Sequence, residues 1–324
     1  MMQILFIGIA AGAAAALLFA SLLSGSPLSL LLVSLGPLPI IIAALGWGHI
    51  AGLVAAVVAA AALTLSLSGA LFFAFLVSVG LPAWWLSYLA LLARPAPQIG
   101  PEGLEWYPVG RLVVWAALIA TLVVTISLLN IGQDAESIRS GLEGIFERLI
   151  RLQMGTPADA PLEIPSVPDP KRLLAFFALV FPGAAAVLTT ITNLINLWLA
   201  ARIVTVSGRL KRPWPDLAAI VFPPLVAGLL AVAIAMSFVP GLVGMVAGVL
   251  SATLLTAYAV LGFAVLHKIT SGITGRGLVL TGAYATVGVL GWPVLVMMLL
   301  GLADTIIDLR GRVAARRGQS SPHH

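Results

Sequence analysis

The first charged side chain in this sequence is Arg94; no Asp, Glu, Lys or Arg precedes it. Further charge-free stretches run over 112–133, 173–201, 217–267 and 277–303. A helix crosses the roughly 30 Å hydrocarbon core of a bilayer with about 20 apolar residues. Only helices and closed barrels satisfy the backbone there, and barrel strands read as short alternating segments, unlike these unbroken apolar runs. The first stretch fits four spans, separated by breakers near Ser24–Pro27, Gly46–Gly48 and Ser66–Gly69. The second and third fit one span each. The fourth fits two, joined at Val239-Pro240-Gly241, and the last fits one span or a broken pair.

Composition agrees. Hydrophobic residues make up 60% and charged residues 9%, whereas an average soluble domain is about 25% charged. The expected fold class is therefore all-α: a polytopic transmembrane helix bundle of nine or ten membrane segments with one extramembrane amphipathic helix. The expected blocks are a five-span bundle over 1–130, an insert over 131–172, a second bundle over 173–309 and a basic tail over 310–324. Ala20-Ser21 resembles a signal cleavage site, but no Lys or Arg precedes the apolar run, so a retained first span is expected.

Short basic loops orient a membrane protein. The loop 202–216 carries Arg202, Arg209, Lys211 and Arg212 against one acid, Asp216, and is expected in the cytoplasm. The insert holds seven of the 12 acids and is expected outside. Counting spans places the N-terminus inside. One final span would strand Arg310, Arg312, Arg316 and Arg317 outside. The interruption at Gly291-Trp292-Pro293 offers two short helices, about 278–290 and 293–308, which return the tail inside; proline removes a helical hydrogen bond and clashes with the preceding turn. The alternative is one kinked span with an outside tail. These counts place both termini in the cytoplasm. The net charge of +5 is thereby a loop property, and no nucleic-acid partner is expected.

Within the insert, Ile138, Leu142, Ile145, Leu149 and Leu152 recur at helical spacing, with Glu147 and Arg151 paired i to i+4 on another face. An amphipathic helix lying in the interface or capping the bundle is expected. Thr156–Pro170, with five prolines, reads as an irregular linker.

Polar residues inside spans are costly and face a bundle interior or cavity. Thr189, Asn193 and Asn196 fall on one stripe, which suits either a substrate cavity or hydrogen bonds to a neighbouring helix. His49 follows the Gly46-Trp47-Gly48 break, and Tyr258 and Tyr284 are polar groups within apolar runs; for each, packing competes with a ligand role. Asp304, Asp308 and Arg312 fall at i, i+4 and i+8, which suits an ion-paired helix end. Gly8 and Gly12, Ala10 and Ala14, and Gly244 and Gly248 give small-residue faces. The sequence holds no cysteine, no Walker A loop, no HExxH helix and no G-x-S-x-G elbow. No catalytic residue, metal site or cofactor is expected.

Gly36-Pro37-Leu38-Pro39 with Gly46-Trp47-Gly48, then Trp106-Tyr107-Pro108-Val109-Gly110-Arg111, Asn193 to Arg202, and Leu300-Gly301-Leu302-Ala303-Asp304 to Arg310 together resemble the YybS-like family of bacterial membrane proteins. That family is in turn similar to the substrate-capturing S components of energy-coupling-factor transporters. The resemblance implies a solute-binding transport component with a small-molecule substrate. It further implies docking of a T-component-like or self partner through Ala10 and Ala14. This chain is longer than an S component and carries the added insert. A non-catalytic membrane scaffold or assembly factor is the other reading.

Overall fold

The computed structural model describes residues 1–67, 69–96, 103–157, 160–164 and 167–319. Four apolar hairpin arms come first. Helix α1 (Met2–Ala20) continues into a tight turn at Ser21–Ser24; α2 (Pro27–Ser34) and α3 (Pro37–Trp47) together make the second arm. Helix α4 (His49–Ser66) is the third, and α5 (Leu71–Phe75) runs through a wide π turn into α6 (Leu81–Ala90) as the fourth. The turn from α3 to α4 is a single residue, Gly48, at φ 104°, a conformation that L side chains rarely adopt.

A two-stranded antiparallel hairpin follows, β1 (Ala93–Pro95) with β2 (Leu104–Trp106), clamped by Arg94 Nη2 on Glu105 Oε2 at 2.6 Å. This pairing is an addition to the all-α fold that the sequence predicts. After it come α7 (Val109–Leu129), α8 (Ala135–Met154) and the 37-residue α9 (Pro170–Val206). The chain ends with α10 (Leu225–Ser237), α11 (Leu242–Ile269), α12 (Arg276–Leu290), α13 (Val294–Ile307) and α14 (Leu309–Gln319).

Among the described residues, seven helical segments are long and apolar enough to cross a membrane: Met2–Ser24, Pro27–Trp47, His49–Ser66, Leu71–Ala90, Val109–Leu129, Pro170–Val206 and Leu242–Ile269. Three shorter apolar helices, α10, α12 and α13, accompany them. At 1.5 Å per residue, α12 and α13 reach only about 21–23 Å, short of the hydrocarbon thickness. Gly291 at φ 72° and Pro293 separate them. The sequence count of nine or ten segments thus becomes seven long helices and three short ones.

The chain divides into two compact units. Unit 1 comprises residues 1–116, 190–226 and 256–324. Its alanine-rich core joins Ala15, Ala16, Ile40, Ile41, Ala55, Ala59, Phe75 and Val204. Helix α1 meets α4 closely because Gly8 and Gly12 face Val54, Val58 and the carbonyls of Ala51 and Ala55; a Cβ at Gly12 would fall 2.7 Å from the Ala55 oxygen. Helices α11 and α13 cross in the same manner, with Gly262 against the Met297 carbonyl and Gly301 against the Tyr258 carbonyl. Such contacts replace the hydrophobic effect, which gives no drive between helices already in lipid.

Unit 2 comprises residues 117–189 and 227–255. Its core gathers Val124, Leu128, Ile138, Leu142, Ala178, Ala186 and Val249, and Thr121 meets Thr253 at 2.8 Å through their hydroxyls. Helix α8 starts with a capping box: the Asp134 carboxylate accepts from the Glu136 and Ser137 amides, and Ser137 Oγ accepts from the Asp134 amide. Only the first half of its apolar face is covered. Ile138 and Leu142 are buried, Phe146 packs edge-on to Phe181, and Leu149 and Leu152 are exposed. The i to i+4 pair forms, Arg151 to Glu147 at 2.7 Å, and Arg151 also donates to the Pro157 and Ala160 carbonyls, tying down the start of the proline-rich linker.

Candidate functional site

Unit 1 holds a half-open cavity of about 690 Å³, within the range that small-molecule sites occupy. Its apolar wall comes from Leu194, Ile195 and Trp198 on α9, Leu112 and Val113 on α7, and Val260, Phe263 and Ala264 on α11. Its polar end comes from Arg212 and Trp214 on the loop after α9, His267 at the end of α11, and Arg276 and Tyr284 on α12. Among the described residues that line it, two arginines and one histidine stand against no carboxylate.

The loop that closes this end is held at several points. Arg212 Nη1 donates to the Ala90 carbonyl at 3.3 Å, where α6 runs out of helical donors. Arg202 lies over the Trp214 ring at 4.9 Å, and Arg209 over Trp47 at 4.7 Å. Asp216 accepts from the Ala218 amide, and the Ala218 carbonyl accepts from Arg310 Nη1 at 3.0 Å. Burial holds the Arg212 guanidinium below its ordinary pKa, yet an arginine keeps its proton in a protein. The Asp216 carboxylate also faces Lys268 Nζ at 3.9 Å, on the surface, where such a pair contributes little.

In the same lining, Phe263 and Tyr284 stack with ring centroids 4.7 Å apart and planes 2° from parallel, joining α11 to α12. The His267 ring stands edge-on to Tyr284. His267 Nδ1 lies 2.9 Å from the Phe263 carbonyl. A carbonyl only accepts, so Nδ1 is the donor in this contact.

The stripe read from sequence lies elsewhere. Thr189 Oγ1 donates to the Ala185 carbonyl of its own helix at 2.8 Å. Asn196 is buried, and its Nδ2 bridges the Ser34 and Thr192 carbonyls at 2.8 Å each. It therefore satisfies the C-terminal end of α2, where the second arm breaks. Asn193 is buried with Nδ2 unpartnered among the described residues, as is Asn196 Oδ1. His49 opens α4 with its ring against Tyr88 at 5.2 Å. Tyr258 is fully buried beneath Phe222. None of these five side chains lines the cavity; Tyr284 does. On α1, Ala10 is exposed and Ala14 half-buried, while Gly8 and Gly12 are consumed by α4.

Sequence reasoning missed Arg212, Arg276 and Trp198 as cavity residues. Arginines near span ends read as orientation signals, and nothing local distinguishes one that turns inward. The helix end is ion-paired, as its residues suit, but not along the stripe Asp304, Asp308 and Arg312. Asp308 adopts φ 46°, ending α13, and the partner of Asp304 is Arg310, 2.7 Å away. Among the described residues, no three His, Asp or Glu side chains gather as metal ligands would. A second, smaller cavity of about 310 Å³ lies in unit 2 beside Arg139, Pro182 and Gly244.

Long apolar helices with internally satisfied backbones and a core of small residues define the class: a polytopic α-helical integral membrane protein. Residues 13–305 match the family model described as "Predicted membrane protein (DUF2232)", and the chain belongs to that family, the same one that the YybS-like motifs indicate. No curated protein and no solved structure matches the chain.

Proposed function

We propose that this chain is the solute-binding component of a membrane transport system, with the unit 1 cavity as its site. The carrying observation is the cavity itself: about 690 Å³, walled by apolar side chains and closed at one end by Arg212, His267, Arg276 and Tyr284. An apolar recess of this size with a few polar groups gathered at one end is the usual form of a small-molecule site. In this reading the chain lies in a bacterial cytoplasmic membrane with both termini inside. Contacts of Arg209 with Trp47, Arg212 with Ala90 and Arg310 with Ala218 support it, because they bring the basic loops to one end of unit 1. The exposed Ala10 and half-buried Ala14 leave a small-residue face on α1 for a T-component-like partner or a second copy.

The scaffold reading is favoured by one observation, the use of Asn196 as a tether between α9 and α2 in place of a cavity group. Native mass spectrometry of the full chain in a neutral detergent separates the two. Transport predicts a retained small molecule that is lost in Ala264→Phe, which fills the cavity from α11. A preparation free of any adduct, with protein partners retained instead, overturns the binding reading.

A further inference from the structure

We infer that the ligand of this cavity is an anionic amphiphile, a single phosphate or carboxylate head on an apolar body, with the head seated at Arg212. The inference rests on the cavity being a binding site and names the chemistry of what it binds. A guanidinium carries five N–H donors. Arg212 spends one, on the Ala90 carbonyl at the long distance of 3.3 Å, and has no carboxylate partner among the described residues. A charge withdrawn from water is costly unless it is paired. Its nearest sequence acid, Asp216, accepts from the Ala218 amide and lies nearer Lys268, and it makes no ion pair with Arg212. Arg276 lines the same end, its Nη2 3.5 Å from the His267 carbonyl.

Everything deeper is apolar. From His267 back to Val260 the α11 wall runs about 10 Å, without a polar lining residue on that helix. An oxyanion at Arg212 gains bidentate, charge-assisted hydrogen bonds, while its apolar body follows this wall. A neutral apolar ligand would bury Arg212 further with nothing to pair it, and a cation would meet two arginines.

The test is titration of the full chain in dodecyl maltoside by native mass spectrometry with dodecyl phosphate, dodecylphosphocholine and dodecyltrimethylammonium, which share one tail. Dodecyl phosphate is expected to bind about tenfold or more tighter than dodecylphosphocholine, an energy difference typical of one charged pair. Arg212→Gln is expected to erase that preference and Arg212→Lys to keep part of it. Arg276→Gln, at an exposed position that leaves folding intact, is expected to cost about threefold. Ala264→Phe should abolish all binding. Displacement of dodecyl phosphate by phosphatidylglycerol would identify the source as an acidic bilayer lipid; no displacement would identify a free acidic amphiphile. Equal binding of the three tails, still lost in Ala264→Phe, overturns the anionic class and leaves the cavity as a site. Binding of none, or binding indifferent to Ala264→Phe, overturns the site itself.

Discussion

The carboxylate of Asp304 receives three hydrogen bonds from Arg310: backbone N to Oδ1 at 3.1 Å, Nε to Oδ2 at 3.0 Å and Nη2 to Oδ2 at 2.7 Å. Both side chains are nearly inaccessible, at 5% and 14% exposure. The remaining guanidinium nitrogen reaches the Ala218 carbonyl, so the pair links the end of α13 to the loop that closes the cavity. Removing one partner of a buried pair strands the other charge, at a cost of about 3–5 kcal/mol. Asp304→Asn should therefore lower the thermal unfolding temperature markedly. The double variant Asp304→Leu/Arg310→Met should recover most of the loss; a double variant as unstable as the single would contradict this account.

The two small-residue faces of α1 should respond oppositely to bulk. Gly12→Leu places a side chain against the Ala55 carbonyl and Val58, and overpacking of this kind costs about 1–3 kcal/mol. Ala10→Leu points away from α4 and should leave unfolding in detergent unchanged. It should reduce co-purification of a membrane partner if that face docks one.

Asn196 is expected to act through structure. Asn196→Ala releases the Ser34 carbonyl, a loss of about 0.5–1.5 kcal/mol by comparison with interhelical hydrogen bonds elsewhere. Amide exchange should quicken around Ser34 while binding of dodecyl phosphate stays unchanged. Altered ligand affinity without altered exchange would make the stripe a binding element after all.

The cap of α8 gives a pH dependence. Hydrogen bonds from the Ser137 amide and hydroxyl hold the Asp134 carboxyl below its ordinary value of 3.8. A depressed carboxylate contributes stability that is present above the unfolded pKa and is lost as pH falls through the folded one. Exchange protection in the first turn of α8, corrected for intrinsic rates, should hold at pH 5 and fade below about pH 3.8. Asp134→Ala should lack the protection at both.

Because the sequence contains no cysteine, single cysteines report topology without background. Ser207→Cys and Ala315→Cys should be labelled from the cytoplasmic side only, and Glu143→Cys from the other. Labelling of Ala315→Cys from the opposite side to Ser207→Cys would show that α12 and α13 amount to a single crossing.

Much of the architecture was legible one-dimensionally. Bilayer thickness is a local constraint, so charge-free lengths partition into arms wherever breakers such as Ser24–Pro27 and Gly46–Gly48 intervene, and α1 to α6 follow that partition. The face of α8 and its Glu147–Arg151 pair needed only helical spacing. The break at Gly291-Trp292-Pro293 was legible for the same reason, since φ and a missing donor are properties of the residues themselves. The candidate site was not. Arg212, His267 and Tyr284 come from three segments whose adjacency no local pattern encodes. The Asn196 stripe, conspicuous in sequence, was spent on a helix end 162 residues away. Sequence alone determined which segments are long and apolar enough to cross a membrane, because bilayer thickness tests each segment singly. Tertiary structure decided which charges face inward together, because that depends on how glycine contacts such as Gly301 on Tyr258 let remote helices approach.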